Sequence, residues 1–229
     1  MPLFLKLRSR FIILILSGIF SFNCFAEIET QRAHTPEALL EKAIQEGKLD
    51  DVLTLLEVRE DINMPFSHGI TPLHSAVIHN QENIVAILLQ AGANPNAIDI
   101  ATQATPLHLA AVYGRENIAK LLMDKGANKN AVMKFGITPL LVAAQFNQPA
   151  MVLLLIDKKV NVNHADEDGF TALHFAARNG NVTIAQLLIE NGAKINTKDK
   201  HESTSLKVAI ESHQPEMADF LRQRGGQTN

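Results

Sequence analysis

Short stripes of apolar residues, spaced for helices and separated by polar breaks, run along most of this chain. Leu73, Ala76 and Val77 stand at i, i+3 and i+4, and Ile84, Ile87 and Leu88 form a second such stripe. His79-Asn80-Gln81 separates the two stripes. Thr71 is a fitting N-cap, and Pro72 is preorganised for the first helical turn. The pattern predicts two short antiparallel helices, neither of which can bury its stripe alone.

The same block recurs. Thr71-Pro72-Leu73-His74 is followed by Thr105-Pro106-Leu107-His108, Thr138-Pro139-Leu140-Leu141 and Thr171-Ala172-Leu173-His174, then by a worn Thr204-Ser205-Leu206-Lys207. The threonines are spaced 34, 33, 33 and 33 residues apart. Asn63, Asn96, Asn130, Asn163 and Asn196 keep an independent register of 33, 34, 33 and 33. The segment from Ala38 to Asn63 keeps the apolar pattern through Ala43, Val52, Leu55 and Leu56, without the Thr-Pro-Leu-His turn. Six units are therefore expected, starting near residues 38, 71, 105, 138, 171 and 204. Gly92, Gly126, Gly192 and Gly225 each fall 21 residues after their threonine. A helix C-terminus favours a left-handed residue there.

Segments such as Gly69-Ile70-Thr71-Pro72-Leu73-His74 and Thr105-Pro106-Leu107-His108-Leu109-Ala110-Ala111 resemble ankyrin repeats. So do Gly169-Phe170-Thr171-Ala172-Leu173-His174-Phe175-Ala176-Ala177 and Leu121-Leu122-Met123-Asp124-Lys125-Gly126-Ala127-Asn128. The resemblance covers about residues 38–226. It implies an all-α fold, an ankyrin-repeat solenoid of about six stacked helix-turn-helix units joined by β-hairpin loops. It implies protein binding without specifying a partner. It also implies that His74, His108 and His174 are structural and bond neighbouring backbone.

Two departures from the repeat carry expectations. Lys159 stands where the other units place a helix-ending glycine. That should soften the joint by roughly 1 kcal/mol if the left-handed conformation is kept. The 34-residue spacing puts one extra residue between Asn96 and Thr105, in a hairpin that lacks the glycine of Gly69, Gly136 and Gly169. Its tip should differ from its neighbours.

The N-terminus reads differently. Lys6, Arg8 and Arg10 precede an apolar run from Phe11, and the small residues Cys24 and Ala26 form a cleavage-like end. This is the order of a secretory signal over residues 1–26, with the cut expected after Ala26. An uncleaved anchor is disfavoured because the run to Ala26 has 16 residues, including Ser17, Ser21 and Asn23. A span needs ~20. Lipid attachment at Cys24 is disfavoured by Asn23 before it, and a buried core helix by the clustered positive charge. The rest divides into a linker over 27–37, the repeat domain over 38–226 and a tail over 227–229.

Charge and cysteine content narrow the chemistry. Lys+Arg 21 against Asp+Glu 24 gives a net charge of −3, with no basic excess to suggest a nucleic-acid partner. Losing the three basic residues of the signal takes −3 to −6. Cys24 is the single cysteine, so neither an intramolecular disulfide nor a thiolate zinc site can form. No His-Glu-x-x-His pair, Gly-x-Ser-x-Gly elbow or phosphate loop occurs, and Gly47-Lys48 lacks the earlier glycine of such a loop. Asp166-Glu167-Asp168-Gly169 resembles part of a calcium loop, but His164 and Phe175 occupy positions that need acids. Asn181-Val182-Thr183 matches a glycosylation sequon.

The expected protein is thus no enzyme and needs no cofactor or metal. It is a protein-binding scaffold exported by the general secretory pathway, with no stable membrane insertion after cleavage. The short signal and compact architecture suggest a bacterial source and a periplasmic or secreted location. The alternatives are a regulatory or accessory subunit of an exported enzyme, and a secreted effector binding a host protein. Ankyrin modules typically bind through hairpin tips and the exposed face of the first helix. The apolar character of those positions in the second to fourth units selects Phe66, Tyr113, Met133, Phe135 and Phe146, with Phe170 and Arg178 at the edge. The alternative for Phe66 and Phe135 is that they fold back to staple their own hairpins.

Overall fold

The computed structural model describes residues 35–59 and 61–228. The signal-like segment and its expected cut after Ala26 lie outside the described residues. Twelve α-helices form six antiparallel pairs among those residues. They are α1 (Pro36–Glu46) and α2 (Leu49–Glu57), α3 (Pro72–Ile78) and α4 (Glu82–Gln90), and α5 (Pro106–Tyr113) and α6 (Glu116–Asp124). Then come α7 (Pro139–Gln145) and α8 (Pro149–Asp157), α9 (Ala172–Asn179) and α10 (Val182–Glu190), and α11 (Ser205–Glu211) and α12 (Pro215–Gln223). First helices pack on first helices and second on second along the stack. This is the all-helical solenoid that the repeat implies.

The threonines start the first helices as their chemistry requires. Thr71, Thr105 and Thr171 each form a capping box with the histidine three residues on. Thr138 and Thr204 accept the N–H of Leu141 and Lys207. Each such cap contributes about 1 kcal/mol. The first unit departs from its expected start. Thr35 caps Ala38 N–H and Pro36 opens α1, so the linker expected over 27–37 yields its last residues to a longer first helix. Thr35-Pro36 is the same signal, set three residues ahead of the repeat register.

The left-handed positions follow the sequence even where glycine is missing. Lys159 ends α8 at φ 59°, matching Gly92, Gly126, Gly192 and Gly225 at the equivalent joints. The softer joint expected there therefore rests on a real left-handed lysine. At the turns between paired helices, glycine answers a second demand. A Cβ on Gly47 would lie 2.7 Å from the Gln81 carboxamide oxygen, and Gly114 and Gly180 face Gln148 and Gln214 in the same way. Gln81 donates to Gln45 O at 3.4 Å and Gln148 to Val112 O at 3.1 Å. Glycine in units one, three and five thus meets glutamine in units two, four and six. The helical repeat carries a two-unit alternation.

The asparagine register gains a mechanism. Asn96 Oδ1 accepts Asn128 N–H at 2.7 Å, and Asn96 Nδ2 donates to Gly126 O at 3.0 Å. Asn163 does the same to Lys194 and Gly192, and Asn196 to Gln227 and Gly225. Each side chain clamps the next unit's chain just past its second helix. Gln227 is held by this ladder and by the Thr204 hydroxyl, so the expected tail begins as an ordered segment.

Candidate functional site

The loops that join units project as a row of five hairpins. No strand forms among the described residues. The β-hairpins expected of the fold carry only isolated antiparallel bridges, Met133 with Ile137 and Ala165 with Thr171. In each hairpin the third residue after the repeat asparagine donates a backbone bond across the turn. Phe66, Asp99, Met133, Asp166 and Asp199 donate to Ile70, Ala104, Ile137, Phe170 and Ser203 at 2.8–3.0 Å. A left-handed residue two before the threonine completes the turn. It is Gly69, Gly136 or Gly169 in three hairpins, Gln103 in the second and Glu202 in the fifth.

What fills the closing position differs. Asp99 accepts Thr102 N–H at 2.6 Å and Ala104 N–H at 3.0 Å. Asp166 accepts Asp168 and Phe170 N–H, and Asp199 accepts His201 and Ser203 N–H. The extra residue of the second hairpin is accommodated here, with Thr102 buried against Asp99. Phe66 and Met133 take the same place without a carboxylate. They are 3% and 4% exposed, sealed under their own hairpins.

Histidines anchor the second, third and fifth hairpins from beneath. His74 Nε2 lies 3.1 Å from Ala104 O, and His108 Nε2 lies 3.1 Å from Ile137 O. A carbonyl only accepts, so Nε2 carries the proton and donates, leaving Nδ1 to accept Thr71 or Thr105 N–H. His174 makes the matching bond to Ser203 O. Burial pushes His74 and His108 down from 6.5 to about 4, against the raising effect of the backbone bonds. Both are neutral clamps at ordinary pH, in the structural role expected of them.

Neighbouring tips are stitched together. Ile100 N–H donates to Gly69 O, Lys134 to Thr102 O, Glu167 to Phe135 O and Lys200 to Asp168 O, at 2.9–3.2 Å. Apolar side chains stand out from the first three tips, namely Met64, Ile98, Ile100, Val132 and Phe135, with Ile100 71% exposed. Phe135 is 47% exposed and held at φ 66°, ψ 21°. That conformation costs a non-glycine residue about 1–2 kcal/mol. The fourth and fifth tips instead expose Glu167, Asp168, Lys198 and Lys200.

The structure therefore sorts the residues expected to bind. Phe66 and Met133 are corrected, because they occupy the buried closing position. Phe170 is corrected too. At 2% exposure it lies just before the cap threonine, packed against His174 and Phe175. For Phe66 the fold-back alternative holds, whereas Phe135 points outward. Tyr113 and Phe146 are half-buried near the C-termini of consecutive first helices and pack partly on the core. The Arg115 guanidinium lies 5.9 Å from the Tyr113 ring centroid, and burial raises the Tyr113 phenol. Arg178, one turn position away in the next unit, lies 5.0 Å over Phe175. Met64, Ile98, Ile100 and Val132 join this surface beyond the residues expected from the sequence. Their signal was an aliphatic residue beside the repeat asparagine or at the tip.

Other sequence candidates resolve simply. Among the described residues no group of three His, Cys, Asp or Glu side chains is placed to hold a metal ion. Asp166 is occupied by its own hairpin N–H groups. Asn181 of the sequon caps α10 through Ile184 N–H, and its amide donates to Asn147. Among the described residues no helix is long and apolar enough to cross a membrane.

A family model described as "Ankyrin repeats (3 copies)" matches residues 14–99, 40–133 and 140–229. Curated relatives include "Apoptosis-stimulating of p53 protein 2" of Homo sapiens and of Mus musculus. Each is 41% identical over 64 residues, which is 28% of this chain and 6% of the relative. The chain thus spans only a small part of the length of these relatives.

Proposed function

Because the chain belongs to the ankyrin-repeat family, whose members generally mediate protein–protein interaction, we propose that it is a non-enzymatic scaffold that binds one protein partner through its first three hairpin tips. The adjoining first-helix ends at Tyr113, Phe146 and Arg178 form the inner margin of that surface. The observation that carries this reading is the row of exposed Ile98, Ile100, Val132 and Phe135 on tips stitched together by backbone bonds. Contiguous exposed apolar groups on a solvated surface mark interaction sites. A strained, outward-facing aromatic among them is a suitable anchor.

The reading extends to location. The charged, apolar and small-residue order of residues 1–26 supports export by the general secretory route, with a periplasmic or secreted chain beginning at Glu27. That N-terminal pattern also supports a bacterial source. Intact mass of the exported chain checks this, since a species that retains Met1 to Ala26 contradicts it.

Binding is tested by capture from the exported fraction with the wild type and with Ile100→Ser combined with Phe135→Asn. Asparagine tolerates the left-handed backbone, so the fold should be kept. Recovery of the wild-type partner should fall at least tenfold, ~1.4 kcal/mol, with an unchanged thermal melt. Undiminished capture removes the hairpin surface.

A further inference from the structure

The hairpin row changes character along its length, and the change constrains what can lie on it. Glu167 N–H bonds to Phe135 O at 3.0 Å, so an exposed acidic residue follows the exposed aromatic directly. The approach is tight, since a Cβ on Gly136 would lie 3.0 Å from Glu167 N. Glu167 and Asp168 are exposed, and neither forms an ion pair among the described residues. Lys134, which adjoins Phe135 on the third tip, directs its ammonium to Ala101 O. Beyond Asp168 the row becomes mixed, where Lys198 pairs with Glu202 at 2.9 Å. The strip is therefore apolar over the second and third hairpins, acidic over the fourth and mixed over the fifth, where exposed Lys200 adds a positive charge beside the Lys198–Glu202 pair.

We propose that this strip takes an extended segment of the partner protein in which an apolar block adjoins a basic block. The apolar block lies over Ile98, Ile100, Val132 and Phe135, and the lysines or arginines lie against Glu167 and Asp168. This rests on the reading of the hairpin tips as the binding surface and adds the chemistry and polarity of what binds. A segment running along a row of stitched turns meets these two environments in sequence. An apolar anchor alone would leave the two carboxylates unanswered at the edge of the contact. A basic neighbour answers them and fixes which way the segment lies. Rim charges of this kind act mainly on specificity and association rate.

The test is selection of random linear twelve-residue peptides displayed on phage against the full chain, followed by fluorescence anisotropy with the enriched synthetic peptides. Enriched peptides should carry an apolar block next to at least two lysines or arginines. Glu167→Lys with Asp168→Lys should weaken them at least fivefold, and raised salt should weaken them on the wild type. Peptides with those bases changed to glutamate should bind the reversed chain better than the wild type. Thermal melts of each variant establish that it is folded. Enriched peptides without basic residues, or affinity unmoved by the charge reversal, overturn the proposal. Failure to enrich any peptide overturns it as well. If binding survives charge reversal yet is lost in Ile100→Ser with Phe135→Asn, the hairpin reading stands and only the polarity falls. If binding is indifferent to both variants, the hairpin reading falls with it.

Discussion

The first and third hairpins close around a side chain, and the second, fourth and fifth close around a carboxylate. The backbone bond across the turn is the same in all five. Asp99, Asp166 and Asp199 gather loop N–H groups, so their turns are held by charge-assisted bonds. Phe66 and Met133 leave those bonds unmade and seal the turn by removing apolar surface from water. One position in a repeat can thus be filled by opposite chemistries, provided that the site is buried and the backbone is satisfied. The lesson extends to recognition. An apolar residue in a hairpin identifies a contact surface only if its neighbours leave it in solvent, as they do Ile100 and Phe135 but not Phe66 or Met133.

The largest expected effect would cut across this comparison. His74 and His108 hold the second and third hairpins, one of each kind. Their folded pKa of about 4 lies below the 6.5 of the free side chain. Between those values the unfolded chain binds protons that the folded chain does not. Stability is therefore full above 6.5, falls as pH drops toward 4 and levels off below it. The loss reaches about 3 kcal/mol per histidine. Urea midpoints from pH 7 to 4 measure it, and His74→Gln with His108→Gln should flatten the slope.

Truncation tests the two closures directly. Phe66→Ala empties a buried aromatic site and should cost about 3 kcal/mol or more. Asp199→Ala orphans the N–H groups of His201 and Ser203 and should cost about 1–3 kcal/mol. Denaturant melts rank them, and a smaller loss at Phe66 would show that its hairpin is held by the backbone bond alone. The smallest effect sharpens the contrast between joints that have glycine and the one that lacks it. Lys159→Gly relieves a left-handed lysine but loosens the unfolded chain, for a net gain of about 0.5 kcal/mol. A small upward shift of the thermal midpoint checks it.

The sequence by itself determined the local geometry of the molecule. Thr-Pro pairs set helix starts, the threonine and asparagine spacings set the period, and glycines marked turns, because capping and backbone conformation depend on a few adjacent residues. Even the early start of α1 was written in Thr35-Pro36. The glycine–glutamine alternation was also present as letters, but it had no meaning until Gln81, Gln148 and Gln214 were seen to lie against the preceding unit. Likewise the asparagines kept register without a visible reason until each was found to clamp the chain one unit on. Which apolar hairpin residues face solvent was decided only by tertiary structure. Phe66, Met133, Phe135 and Phe170 are alike in composition and lie in similar loops. Phe66 is covered with His68 and Arg59 against its ring, and Phe170 with His174 and Phe175 against its own, whereas Phe135 at φ 66° stays in solvent. The repeat register gives each a place, third after the asparagine, just before the threonine or at the tip, but only the packed structure shows which of those places is covered, because burial is a property of all the neighbours together.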